Sequence, residues 1–119
     1  MKFLAFLAAP LLVAPAAAQV APPPQLSLEH RMLLRCSAAF ALIAYRQDTG
    51  DASAQQYPPL KQRGSEFFVR ASARVMDEAK LDRAGIGEAL KAEAQTLLQG
   101  GTLAAIMPVC LSALEASER

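Results

Sequence analysis

The sequence predicts an all-α protein, a small bundle of about four helices with one disulfide, preceded by a cleaved N-terminal signal peptide. Apolar residues recur at steps of three and four in four successive stretches, as they do along the buried face of an amphipathic helix. No stretch of four or more residues alternates between apolar and polar side chains as a half-buried strand does. The two cysteines, Cys36 and Cys110, lie on the apolar faces of the first and last stretches.

The first 18 residues have the three parts of a secretory signal peptide. Lys2 supplies the positive charge, an apolar run of 11 residues extends from Phe3 to Val13, and small residues end at Ala18, where we expect cleavage. This run is too short to remain as a membrane span, which needs about 20 apolar residues. The sequence therefore predicts a periplasmic or secreted protein with no stable membrane insertion after cleavage.

Cleavage leaves a proline-rich flexible leader, residues 19–26, followed by a single helical domain, residues 27–119. The leader contains three consecutive prolines, which form neither a helix nor an inner strand. Loss of Lys2 reduces the 12 basic residues of the chain to 11, which balance its 11 acidic residues. A formally neutral mature chain gives no electrostatic reason to expect a nucleic-acid partner.

Cys36 and Cys110 are predicted to form a disulfide, because an even number of cysteines in a small exported chain is typical of disulfide bonding. A reactive thiol and a zinc site are the alternatives. The chain has one histidine, His30, six residues before Cys36, and six residues along a helix place two side chains on opposite sides. The cysteines also lack the C-x-x-C spacing of zinc sites, so the disulfide is favoured.

The first helix is predicted to begin after Ser27, an N-cap residue that is followed by Glu29 in the first turn. Its apolar stripe contains Leu28, Met32, Leu33, Cys36, Phe40 and Ile43. The second half of this helix is apolar nearly all round, which predicts that it is the central and most enclosed helix. The polar residues 46–59 follow as a surface loop, with Gly50 as the turn residue that ends the helix.

The second helix is predicted over residues 60–81, after two prolines. Its predicted buried face contains Phe68, Ala71, Val75, Met76 and Ala79. Gly64 weakens the first turn and leaves two alternatives. Either the helix begins with Ser65 as its N-cap, or Gly64 marks a close crossing with another helix.

Two further helices are predicted after breaks at glycines. The third, within residues 82–99, has an apolar stripe of Ile86, Ala89, Leu90, Ala94 and Leu97. The fourth has Thr102 as its cap and places Leu103, Met107, Cys110 and Leu114 on one face. Pro108 is expected to kink this helix or divide it. Because both cysteines face the core, the first and last helices are expected to pack together.

Residues with catalytic potential are few. His30 has no serine or cysteine placed for nucleophilic catalysis, and no acid pair stands without basic residues at helical spacing. The sequence Gly85-Ile86-Gly87 lacks the preceding strand and third glycine of a phosphate-binding loop. We therefore predict that the protein is not an enzyme, that it uses no metal or cofactor, and that it binds an unknown protein partner in the cell envelope.

The candidate partner-binding residues include three aromatic side chains that are expected to be exposed, Tyr45, Tyr57 and Phe67. Phe67 and Phe68 are adjacent, so they cannot both lie fully on the core stripe of one helix. One of the two rings is therefore a candidate anchor for a partner. The alternative is that this ring packs against a neighbouring helix or the long loop.

Arg63, Arg70 and Arg74 lie near one face of the second helix and are candidate residues at the rim of the same surface. The alternative is a solvated face of ion pairs. In that case Glu66 pairs with Arg70 and Arg74 pairs with Glu78, both at i,i+4 spacing.

Two other functions stay open. In size, helical architecture and compartment the chain is similar to the acid-stress chaperones of bacterial envelopes, which implies exposure of apolar helix faces when carboxylates are protonated. An inhibitor or immunity protein against an envelope enzyme is the other possibility, with the loop 46–59 as its contact segment.

Overall fold

The computed structural model describes residues 9–12 and 26–119. Four helices, α1 Leu28–Asp48, α2 Lys61–Ala79, α3 Arg83–Leu97 and α4 Thr102–Ser117, follow one another, with a short 3-10 turn at Ala52–Ala54. The described residues contain no strand, so the all-α prediction is confirmed for them. The predicted cleavage site after Ala18 and the leader as far as residue 25 lie outside the described residues.

Helix α1 is the central element, because it packs against each of the other three helices, which have few contacts with one another. It begins as predicted: the Ser27 hydroxyl accepts a hydrogen bond of 3.0 Å from the backbone N–H of His30. Five consecutive residues, from Cys36 to Phe40, are buried, which an ordinary one-sided helix does not allow. Leu28 is 76% exposed, however, so its assignment to the buried stripe is wrong.

Gly64 is the point where α2 crosses closest to α1. Helix α2 begins at Lys61, ahead of Gly64, so Ser65 is not its N-cap. A β-carbon at position 64 would lie 2.9 Å from the Phe40 β-carbon, a separation that real β-carbons essentially never show. The second alternative for Gly64, a close helix crossing, is therefore confirmed.

The close crossing determines which of the two adjacent phenylalanines is buried. The Phe67 ring packs edge-on against the Phe40 ring, with 5.2 Å between their centroids, and Phe67 is only 3% exposed. Phe68 is 39% exposed. The prediction that Phe67 is exposed and Phe68 buried is therefore wrong, because Gly64 and Phe67 are one turn apart and both face Phe40.

Helix α4 buries all of the residues predicted for its inner face, which are Leu103, Met107, Cys110 and Leu114. Cys110 is bonded to Cys36, with 5.2 Å between the α-carbons, so the predicted disulfide and the packing of α4 on α1 are both confirmed. Pro108 lies inside one continuous helix and does not divide it. Gly101, with a φ of 77°, takes the cap position that was predicted for Thr102.

The segment after α1 is bound to the body of the protein by Gln47. Helix α1 extends to Asp48, so the loop is shorter than predicted, and Gly50 has the left-handed φ of 80° expected of a turn residue. The Gln47 amide donates to the backbone carbonyls of Ala54, at 3.1 Å, and Pro58, at 3.0 Å. Its oxygen accepts from the N–H of Leu60 at 3.2 Å, so this one side chain joins the middle and the far end of the segment to α1.

None of the helices among the described residues combines the length and the hydrophobicity that a membrane crossing requires.

Candidate functional site

The structure separates the three aromatic residues that were predicted to bind a partner. Tyr45 is 69% exposed near the end of α1. Tyr57 is half-buried and packs against the main core, so its predicted exposure is only partial. Phe67 belongs to the core itself, and Phe68 is the exposed ring of the pair. Of the predicted aromatic residues, Tyr45 alone is largely accessible.

The three arginines of α2 join α2 to other helices. Arg63 donates two hydrogen bonds to Glu118, one of them at 2.9 Å, and Arg70 donates to the Ser117 hydroxyl at 3.0 Å. Both contacts reach the end of α4. Arg74 instead donates to Glu29 on α1 at 2.6 Å. The arginines therefore occupy a different side of α2 from the side that carries Phe68.

The predicted i,i+4 pairs on α2 are half right. Arg74 forms the expected pair with Glu78. Glu66 accepts a hydrogen bond from Gln62 at 3.3 Å, and Arg70 contacts α4, so the predicted pair of Glu66 with Arg70 does not form. The interhelical contacts of Arg70 replace the local one.

A cluster of charged residues lies where the beginning of α1 meets the end of α2. Arg74 lies between Glu29 and Glu78, and the His30 ring contacts Glu78 at 3.3 Å. Hydrogen bonds from Arg74 and then from His30 lower the pKa of Glu78 below the ordinary value of 4.5. At the other end of α2, Arg63 lowers the pKa of Glu118 in the same way. Both ends of α2 are thus held by ionised carboxylates.

An open apolar groove lies over α1, between α2 and α3. Its floor is α1, where the small residues Ser37, Ala38, Ala41 and Ala44 line the groove together with Phe40 and Leu42. Its walls are Gly64, Ser65 and Phe68 on α2 and Leu90 and Ala94 on α3. Leu60 also lines the groove, and Lys61 and Lys91 are its two charged lining residues. We call this feature the alanine groove.

The alanine groove is large enough for a ligand or for side chains of a partner. It consists of two adjoining depressions of about 310 and 320 Å³, which share Ser37, Ala41 and Phe68. Binding pockets in proteins typically begin at about 300 Å³ and are mostly apolar. Phe68 therefore stands at the junction of the two halves, and Tyr45 lies one helical turn beyond Ala41 on the same side of α1.

A second apolar cleft lies beside the disulfide, between α1, α2 and α4. Its volume is about 350 Å³, and Met32, Cys36, Phe67 and Val109 are among its lining residues. Cys36 is nevertheless only 2% exposed, so the sulfur is shielded. The one charged residue of the cleft, Glu29, is engaged by Arg74. The alanine groove is the better candidate because its charged rim retains a lysine without an ion-pair partner among the described residues.

Glu93 was not among the predicted site residues, and it is only 8% exposed on the inner side of α3. Its carboxylate accepts a hydrogen bond of 2.7 Å from Arg35 and lies 3.7 Å from the Nε of Arg31. The sequence of α1 could have indicated this contact. Arg31 and Arg35 lie one turn apart on a largely apolar helix, where a carboxylate from another helix is a favourable partner. This contact holds the α3 wall of the alanine groove against its floor.

The one histidine of the chain takes part in a contact between helices. The His30 ring lies 3.3 Å from the Glu78 carboxylate, which joins α1 to α2. Among residues 9–12 and 26–119, no group of three or more histidine, cysteine or acidic residues is placed to hold a metal ion. An apolar groove with exposed aromatic rings and a charged rim can bind a partner through shape and apolar contact.

No protein-family model matches the chain, and comparisons with curated proteins and with solved structures likewise find no match.

Proposed function

We propose that this protein is a small exported binding protein of the cell envelope, without catalytic activity, and that a partner protein binds in the alanine groove. Export is supported by the signal-peptide pattern of the first 18 residues and by the disulfide, which is typical of an oxidising compartment. The exposed Phe68, at the centre of an apolar groove, is the observation that carries the assignment of the binding site.

The packing of α1 supports the same site. An apolar helix at the centre of a bundle is normally covered on every side, and α1 is covered by α2 and α4 along the row from Cys36 to Ile43. On another side of α1, Ala41 is exposed and lines the groove between α2 and α3. An apolar strip left open in this way is characteristic of a surface that a second molecule covers.

Site-specific cross-linking in cells tests the proposal. A photo-reactive phenylalanine analogue at position 68 is expected to capture one partner protein, because this ring projects into the alanine groove. The cross-linked chain is expected to begin at Gln19, as export and cleavage require. Mass spectrometry of the cross-linked product from the envelope fraction measures both results.

Val69 provides the matched control. It is the next residue of α2 and is 62% exposed, but it does not line the groove, so the same analogue at position 69 is expected to capture nothing specific. Ala41→Glu places a charge on the groove floor at an exposed position and is expected to abolish capture at position 68. Equal capture at positions 68 and 69, or capture that persists in the Ala41→Glu variant, contradicts the proposed site.

An acid-activated chaperone is the second candidate, and the carboxylate contacts of α2 favour it. Glu78 and Glu118 have lowered pKa values, so their ion pairs stabilise the folded protein fully above pH 4.5. This stabilisation is lost as the pH falls through the lowered values, because each glutamate is then neutral. Acid therefore weakens one contact at each end of α2, the helix that covers one side of the apolar α1.

The chaperone candidate predicts binding of an apolar dye below about pH 3 with the disulfide intact, where carboxylates are protonated. In the Glu78→Gln, Glu118→Gln double variant the onset of dye binding is expected at a higher pH, because both pairs are already broken. Glu66→Gln is the control, since Glu66 has only an intrahelical contact with Gln62. Absence of dye binding at low pH rules the chaperone function out.

A further inference from the structure

We propose that the segment bound in the alanine groove is an amphipathic helix with a narrow apolar face and acidic residues along its edges. This inference rests on the proposed function, because it specifies the partner of the same groove. It is drawn from the charge of the rim, the small size of the floor residues and the position of Phe68.

The rim of the alanine groove is positively charged. Both charged residues that line the groove are lysines, one on each wall, and no carboxylate is among the described lining residues. Lys61 lies 3.3 Å from Asp48, a contact in which both side chains are well exposed. Lys91 takes part in none of the ion pairs between described residues. The rim is therefore complementary to acidic groups, above all along the α3 wall.

The serine and alanine residues on the floor of the groove leave room for a helix. Serine and alanine side chains let another helix approach the backbone of α1 closely, as Gly64 already lets α2 approach Phe40. A helix that lies between two helices presents residues at i, i+3, i+4 and i+7 to the floor and keeps its polar edges outside. A helix with small apolar residues on one face and glutamates at its edges fits both features.

Phe68 is the aromatic residue that lines both halves of the groove, which makes it a candidate anchor for the bound helix. Large exposed aromatic side chains that become fully covered are the usual anchors of a helix-in-groove interface. Phe68 is 39% exposed, so more than half of the residue is already covered and less side-chain freedom remains to be lost when a partner covers it.

Two synthetic peptides test the inference with the intact disulfide-bonded protein. Both are labelled 18-residue helices with alanine and leucine on one face, one with glutamates at its edges and the other with lysines. Fluorescence anisotropy is expected to give about tenfold tighter binding of the glutamate peptide, since two rim pairs form and two like-charge contacts are avoided. The preference is expected to weaken at high salt.

Charge reversal at the rim is the specific check. Lys91→Glu is expected to remove most of the preference for the glutamate peptide. Arg83→Glu, which makes the same change in net charge at an exposed position outside the groove, is expected to leave it intact. Equal affinity for the two peptides, or an unchanged preference in Lys91→Glu, overturns the inference about the partner helix.

The failure of this inference is distinguishable from failure of the proposed function. If cross-linking at Phe68 still captures a partner while neither peptide binds, the groove is a binding site and the acidic helix is the wrong occupant. If the protein forms dimers that Ala41→Glu dissociates, as measured by analytical ultracentrifugation, the occupant is a second copy of the chain and the inference is likewise overturned.

Discussion

Replacing Cys36 and Cys110 together by alanine is expected to lower the free energy of unfolding by about 4 kcal/mol. The bond joins residues that are 74 positions apart, so its loss gives the unfolded chain most of the freedom that a long closed loop removes. Small domains have a total stability of only about 5 to 15 kcal/mol. The variant is therefore expected to be marginally folded, as measured by urea unfolding at constant pH.

Reduction of the natural protein provides the control for this prediction. The reduced protein is expected to unfold at nearly the same urea concentration as the double-alanine variant, and the variant itself is expected to be insensitive to reductant. Both sulfur atoms are buried among apolar side chains, so the variant, which also loses their packing, is expected to be slightly less stable than the reduced protein. A loss below about 1 kcal/mol contradicts the view that the disulfide stabilises the fold.

The inner face of α4 was predictable from the sequence because the row of apolar residues that contains Cys110 keeps to the helical period. Leu103, Met107, Cys110 and Leu114 follow the helical period, and each is buried. Helix α2 was harder. Phe67 and Phe68 differ by only 100° around the helix, so the period does not separate them. The close crossing at Gly64 decides between them, through a contact with a residue 24 positions earlier in the chain, Phe40.

The alanine groove was not predictable from the sequence, although its floor was visible as alanine-rich. Helix α1 is apolar nearly all round, which indicates a central helix, and the prediction that it is the most enclosed followed from this pattern. Which side stays open depends on the distance between α2 and α3. The position of each helix on α1 depends on interhelical contacts such as that of Arg35 with Glu93 on α3, which join residues 58 positions apart.

Glu93→Ala is expected to lower the free energy of unfolding by about 3 kcal/mol, because it leaves the Arg35 guanidinium without its partner in a largely buried position. The Arg35 side chain is 24% exposed, which favours the lower end of the usual range for a broken buried pair. Glu88→Ala, at an exposed position on the same helix, is the control and is expected to change stability by less than about 0.5 kcal/mol. Urea unfolding of the two variants measures the difference.

Replacing both members of the pair separates the penalty for a lone buried charge from the contribution of the pair itself. The Arg35→Leu, Glu93→Leu double variant is expected to be within about 1 kcal/mol of the natural protein, because apolar residues there leave no buried charge unpaired. Arg31, the other contact of Glu93, is 54% exposed and stays solvated. It is also expected to keep the α3 wall in place and therefore to bind the glutamate peptide normally, whereas Glu93→Ala, with the wall loosened, is expected to bind it more weakly. If Glu93→Ala is as stable as Glu88→Ala, the contact does not hold α3 on α1, and the shape of the alanine groove depends on other packing.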